Sequence, residues 1–103
     1  MIRIKALGVC FVIVAGAVIA APASAASCVN KAGEGTGSSA SDAEFQAYEA
    51  VLQATSWPMW SVWMGSGAKV GVAPGYKVSN YKKKCGPGGS LGHLCRVQAT
   101  LCN

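Results

Sequence analysis

The cysteines are the side chains with the clearest chemical potential. Four of the five, Cys28, Cys85, Cys95 and Cys102, follow an apolar N-terminal run that contains Cys10. In a small exported chain, four cysteines predict two disulfides, and three pairings are possible. We favour Cys85–Cys95, which would close a hairpin across a glycine-rich turn. The second disulfide would then be Cys28–Cys102, which would join the two ends of the domain.

The same cysteines could instead bind a metal or act as nucleophiles with His93, the single histidine. Cys85, His93, Cys95 and Cys102 follow the spacing C-x7-H-x-C-x6-C. This spacing lacks the closely paired cysteines of structural zinc sites. In an exported chain, oxidation would also remove the thiolates that nucleophilic catalysis requires. We therefore expect no metal site and no cofactor.

Two other patterns are typical of enzymes but are incomplete in this chain. Glu44 and Glu49 are five residues apart and would not share a helix face as an acid/base pair would prefer. The run G-E-G-T-G at residues 33–37 resembles a phosphate-binding glycine loop but lacks the P-loop lysine. We predict no catalytic residues and expect a protein that is not an enzyme.

Positive charge is concentrated in the C-terminal half. Residues 26–56 carry a net charge of −3 and residues 57–103 carry +6. The lysine run 82–84 could protect a solvated sheet edge, or it could contact an anionic envelope polymer or lipid headgroups. Tyr76 and Tyr81 near these lysines are also typical of nucleic-acid surfaces, but export argues against that partner. The candidate contact residues are Lys82, Lys83, Lys84 and Arg96.

Trp57, Trp60 and Trp63 are spaced three residues apart. On a helix they would span an arc of about 120°. They could form the core, because aliphatic residues are scarce, or an aromatic patch for a sugar, a membrane interface or a protein partner. Since three tryptophans are hard to bury in so small a domain, we expect at least one to be partly exposed.

The N-terminal segment has the three parts of a secretory signal peptide. Arg3 and Lys5 precede an apolar run at residues 6–20, and A-P-A-S-A at 21–25 ends in a small-residue cleavage pattern. The apolar run is shorter than the roughly 20 residues that span a bilayer. We predict a signal peptide at residues 1–25 and a single domain at 26–103.

The predicted localisation is periplasmic or extracellular, with no transmembrane span after cleavage. A lipoprotein is the alternative, since A-A-S-C ending at Cys28 weakly resembles a lipobox. The position three before Cys28 is Ala25, where a larger aliphatic residue is usual, so we favour simple cleavage.

Hydrophobic spacing predicts a helix at residues 42–55, where Ser41 and Glu44 form a capping box. Ser56-Trp57-Pro58 interrupts it, and a second short helix at 58–64 ends at Gly65. The chain is then either kinked at this point or forms two separate helices.

Strands are predicted at residues 28–32, 76–85 and 94–102, with a loop at 33–41 and a possible short strand at 69–72. The last strand alternates apolar and polar residues, so one of its faces should be buried. We predict a small α+β domain of order β-α-(α)-β-β. Its three-stranded antiparallel sheet would pack on one kinked helix or two short ones, stapled by disulfides.

Three segments together resemble small exported bacterial proteins of unknown function. They are K-A-G-E-G-T-G, the helix A-x-F-Q-A-Y-E-A-V-L-Q-A-T-x-W, and C-R-V-Q-A-x-L-C after the glycine turn. The motifs that carry the resemblance are structural in type, namely glycines, a helix core and cysteines, and the resemblance implies no activity. We expect an exported, non-enzymatic domain that binds an anionic or protein partner. The alternative is a cationic secreted effector or antimicrobial-type protein that acts on membranes.

Overall fold

The computed structural model describes residues 27–103. The signal peptide predicted at residues 1–25 lies outside the described residues, as does Cys10. Within residues 27–103, neither helix combines the length and the apolar character needed to cross a membrane.

The described chain has the predicted order of three strands and two helices, which confirms the small α+β domain. The interruption at Ser56 separates two helices. The elements are β1 (Cys28–Gly37), α1 (Ala40–Thr55), α2 (Trp57–Gly65), β2 (Lys77–Pro87) and β3 (His93–Cys102).

Two parts of the sequence prediction were wrong. Residues 33–37, expected in a loop, continue β1, because here glycine allows close packing against a helix rather than a turn. The short strand considered at 69–72 does not form; residues 66–76 contain only an isolated bridge between Ala73 and Tyr76.

The start of α1 also differs from the prediction. Its N-cap is Ser39, whose hydroxyl accepts a hydrogen bond from the Asp42 N–H at 3.1 Å. Ser41 instead lies within the first turn, so the predicted capping box with Glu44 does not form. Ser39 competes successfully for the cap because the chain there is already extended, as N-cap geometry requires.

Ser56 ends one helix and begins the next. Its backbone N–H donates to the Leu52 carbonyl at 2.9 Å, which closes α1. Its hydroxyl accepts from the Met59 N–H at 3.2 Å, which caps α2. Pro58 fits the first turn of α2, where a backbone N–H has no helical partner.

The sheet has β3 at its centre, with the order β1-β3-β2 and antiparallel pairing throughout. Cys28 lies directly opposite Cys102, and Cys85 lies opposite Cys95. The two disulfides join these pairs, with Cα–Cα separations of 4.0 and 4.1 Å. The favoured pairing is confirmed, and two disulfides indicate an oxidising compartment.

One face of the sheet, here called the inner face, packs against α1. Cys95, Val97, Ala99 and Leu101 of β3 are fully buried on it, as their alternation with polar residues predicted. At Gly33, an added Cβ would lie 2.5 Å from the Ala47 carbonyl oxygen, and at Gly37 it would lie 2.6 Å from the Ala43 nitrogen. Only glycine allows α1 to approach β1 this closely. The largest fully buried side chains are Trp63, Tyr48, Leu52, Leu101, Val51, Val97 and Cys95.

Candidate binding surfaces

A β-bulge in β2 decides where its lysines point. The register between β2 and β3 shifts between Ser79 and Lys82, and Asn80 adopts a positive φ of 51°. Beyond the bulge, Lys82 lies opposite Gln98 and Lys84 opposite Arg96. Because Arg96 alternates with buried residues of β3, Lys82 and Lys84 share the sheet face turned away from the helices, here called the outer face.

Lys83 points to the other side. Its ammonium group donates to Glu44 Oε1 on α1 at 2.9 Å, and the Tyr81 hydroxyl donates to Glu44 Oε2 at 2.6 Å. The Tyr81 hydrogen bond and the Lys83 charge hold the pKa of Glu44 below its ordinary value, although burial opposes them. Burial and the Glu44 carboxylate raise the pKa of Tyr81. Lys83 therefore ties β2 to α1 and is not part of the outer face.

The outer face carries four cations and one carboxylate. Arg96 forms an ion pair with Glu34, its cross-strand partner on β1, and the Arg96 side chain remains 68% exposed. The register places Lys84 on the opposite side of Arg96 and Lys77 at the far end, opposite Cys102. The charged residues of the outer face are Lys77, Lys82, Lys84, Arg96 and Glu34, with a net charge of +3.

The three tryptophans do not form one surface. Trp63 is 1% exposed, contacts Phe45 and Tyr48, and donates from Nε1 to the Lys69 carbonyl at 2.8 Å. Trp60 is half-buried and donates to Glu49 Oε2 at 3.0 Å. Trp57 is 60% exposed and packs edge-on against Trp60. Trp63 therefore lies in the core and Trp57 on the surface, in line with the expectation that at least one of the three is partly exposed.

The residues considered for metal or thiol chemistry are four disulfide-bonded cysteines and one exposed histidine. All four cysteines of the described chain are in disulfides, so they offer no thiolate. His93 is exposed at the start of β3. Residues 27–103 contain no cluster of three or more potential metal ligands.

Two features of these surfaces have only a weak signal in the sequence. The sequence shows Tyr81 as an aromatic residue beside the lysines, whereas its hydroxyl bridges to α1. The extension of β1 to Gly37, and with it a long free sheet edge, was also missed. The alternation of Gly33, Gly35 and Gly37 was the available signal, since a period of two is a strand period.

Comparisons of the chain with protein-family models, with curated proteins and with solved structures gave no match.

Proposed function

We propose that this is an exported, non-enzymatic domain that binds an anionic partner through the outer face of its sheet. The partner would be an anionic polymer of the cell envelope or the headgroups of anionic lipids. The observation that carries the proposal is the grouping of Lys82, Lys84 and Arg96 on a face that none of the described elements covers.

The geometry of this face favours binding over a purely protective role for the lysines. Lys84 and Arg96 are direct cross-strand neighbours, a placement that is unfavourable for like charges unless a counter-charge is present. Glu34 supplies only one carboxylate for the pair. A bound polyanion would neutralise the remaining charge and release its own counterions, so its affinity should fall as salt increases.

The membrane-active alternative is less well supported. Helices that lie in a membrane interface carry cations and large apolar side chains around one amphipathic element. In this chain the exposed Trp57 belongs to α2, which packs against α1 on the helix side of the sheet, whereas Lys82 and Lys84 lie on the outer face. One planar membrane could not contact both groups at once.

The test compares two double variants that remove the same charge. Lys82→Gln/Lys84→Gln removes cations of the outer face, whereas Lys69→Gln/Lys83→Gln removes cations of the helix side. Binding to poly-L-glutamate and to vesicles containing phosphatidylglycerol is measured at about 20 and about 500 mM salt, conditions between which exposed charges become strongly screened. We expect the outer-face variant to bind at least about tenfold more weakly and the control variant to stay within about threefold.

The two probes distinguish the sources of anionic charge. Binding to both indicates recognition of charge alone, and binding to only one assigns the partner class. Equal losses in the two variants, or an affinity that does not change at the higher salt concentration, would contradict the proposal. Release of dye from the same vesicles would instead support the membrane-active alternative.

A further inference from the structure

The free edge of β1 presents an unbroken row of backbone hydrogen-bonding groups. Ser27 and Asn103 exchange both backbone hydrogen bonds, at 2.9 and 3.2 Å. Because bonded and non-bonded pairs alternate in an antiparallel ladder, the odd-numbered residues of β1 bond to β3 and the even-numbered ones face the edge. Nothing in residues 27–103 pairs with these edge groups. They belong to Cys28, Asn30, Ala32, Glu34 and Thr36.

A groove runs between this edge and α1. It has a volume of about 480 Å³, which is within the range of ligand-binding clefts. The loop after β2 closes one end, since Gly89 packs against Thr36 and Leu91 lies nearby. The lining is mostly polar or small, with Glu34, Gly35 and Thr36 from β1, Gln46, Glu49, Ala50 and Gln53 from α1, and one large apolar residue, Leu94 of β3.

The position of α1 limits what can occupy the edge. The glycines of β1 place the helix directly above the strand. A helix is about 10–12 Å wide, whereas neighbouring strands are only about 4.8 Å apart, so α1 overhangs the place where a fourth strand would lie. Antiparallel pairing of β1 with β1 of a second copy would bring two such helices into overlap. A strand without its own helix layer avoids this collision.

We propose that the β1 edge binds an extended peptide segment of another protein, which adds to the sheet as a fourth strand. The backbone groups of Asn30, Ala32 and Glu34 would supply the hydrogen bonds, as in other β-strand additions. The peptide carries small side chains, such as Gly, Ala or Ser, on the side that faces Gln46 and Ala50 of α1. This site is separate from the outer-face cations of the proposed function.

The first experiment follows backbone amide exchange by NMR on the disulfide-bonded domain. The probe is the capped peptide Lys-Ser-Ala-Ser-Ala-Ser-Ala-Lys, and the control peptide has Gln for Ser and Leu for Ala, with large side chains on both faces. We expect the probe to protect the amides of Asn30, Ala32 and Glu34 by at least about tenfold, and the control peptide to have no effect. Absence of protection at millimolar probe, or equal protection by both peptides, would overturn the proposal.

The second experiment uses Ala32→Pro, which removes an edge-facing N–H but no hydrogen bond of the sheet. Thermal unfolding of the free variant first checks that it is folded. We expect probe affinity to fall about tenfold or more in Ala32→Pro and to remain unchanged in Lys82→Gln/Lys84→Gln. If Ala32→Pro bound the probe with unchanged affinity, the peptide would not bind at this edge and the proposal would be wrong. Amide protection that rises with protein concentration alone would assign the edge to a second copy and overturn the peptide proposal.

Discussion

The two edge strands of the sheet, β1 and β2, differ in the features that protect a sheet edge from pairing with other chains. Four residues of β2 are lysines. The strand also contains a bulge at Asn80 and ends at Pro87, which has no N–H to donate. Lysines, bulges and prolines are the usual devices that protect a sheet edge from pairing with other chains. β1 has ten consecutive paired residues, no bulge, no proline and a single lysine, Lys31.

The strands also differ in how they attach to α1. β2 is tied by polar side chains, since Tyr81 and Lys83 both donate to Glu44. β1 is attached by close backbone packing at Gly35, where an added Cβ would overlap the Ala47 backbone and Gln46. α1 itself therefore shields β1 from wide partners, whereas β2 is protected from pairing by the lysine charges and the bulge along its exposed edge.

The two disulfides give the largest expected effects on stability, and each joins one edge strand to β3. Cys28 and Cys102 are separated by 74 residues, and Cys85 and Cys95 by 10. In the chain-entropy model, the larger loop contributes about 4.5 kcal/mol and the smaller about 2.7 kcal/mol. Urea unfolding should therefore show a greater loss in Cys28→Ala/Cys102→Ala than in Cys85→Ala/Cys95→Ala. A greater loss in Cys85→Ala/Cys95→Ala would indicate that β1 does not need the Cys28–Cys102 disulfide to hold its first residues in the sheet.

Gly35 and Gly86 test the attachment of the two strands. Gly35→Ala should lower the free energy of unfolding by about 3 kcal/mol, because the new Cβ would overlap backbone atoms of α1. A Cβ added at Gly86 of β2 would have no heavy atom within 4 Å, so Gly86→Ala should cost nothing. Both variants restrict the unfolded chain equally, and the difference between their unfolding free energies, measured in urea, reports packing alone. Equal stabilities would refute the close approach of α1 to β1.

The glycines of residues 33–37 in β1 belong to a part of the fold that the sequence did not predict. The strand at residues 94–102 was predictable because Cys95, Val97, Ala99 and Leu101 alternate with polar residues, and all four are fully buried. The disulfide pairing followed from the hairpin and from the meeting of the chain ends. The glycines of residues 33–37 carry no side chains to reveal a buried face, so their composition predicts a loop. A long-range contact with α1 determines their conformation instead.

The candidate site was predictable in composition but not in arrangement. The lysines at 82–84 and Arg96 are evident in the sequence, but which of the lysines share a face with Arg96 depends on the local register. The bulge at Asn80 sets that register, and a single Asn, although favoured at positive φ, is not enough to predict a bulge. For the tryptophans, helical spacing predicts the arc of the helix surface on which they lie but not the residues that each one contacts. Trp63 is buried because it contacts Phe45 and Tyr48 of α1.

Tyr81 tests the polar attachment of β2. Tyr81→Phe removes a hydrogen bond to the Glu44 carboxylate and should lower the free energy of unfolding by about 1.5 kcal/mol at neutral pH. Because the folded-state pKa of Glu44 lies below its ordinary value of 4.5, its contribution is present above that pH and is lost as the pH falls through the folded-state pKa. The difference in urea stability between wild type and Tyr81→Phe should therefore shrink below about pH 4.

Tyr48 provides the matched control for that pH dependence. Its hydroxyl donates to the Val72 carbonyl at 2.7 Å, and burial raises the pKa of Tyr48 to about 12. Tyr48→Phe removes a hydrogen bond of similar length but one that involves no carboxylate. Its destabilisation, measured by urea unfolding at about pH 7 and about pH 3, should be the same at both values. A pH-dependent loss in Tyr48→Phe would show that Glu44 is not the group responsible.

The variant with the smallest expected effect, Ala32→Pro, belongs to a comparison of the two sides of β1 itself. Ala32→Pro removes an N–H that faces the free edge, so the free energy of unfolding should change by less than about 1 kcal/mol. Lys31→Pro removes an N–H that bonds to β3 and leaves the opposing Ala99 carbonyl unpaired, which should cost about 2 kcal/mol. Thermal unfolding of the two variants compares neighbouring residues of the same strand. If Ala32→Pro were the more damaging variant, the hydrogen bonds of Ala32 would run to β3, and the edge of β1 would have to be assigned to its odd-numbered residues.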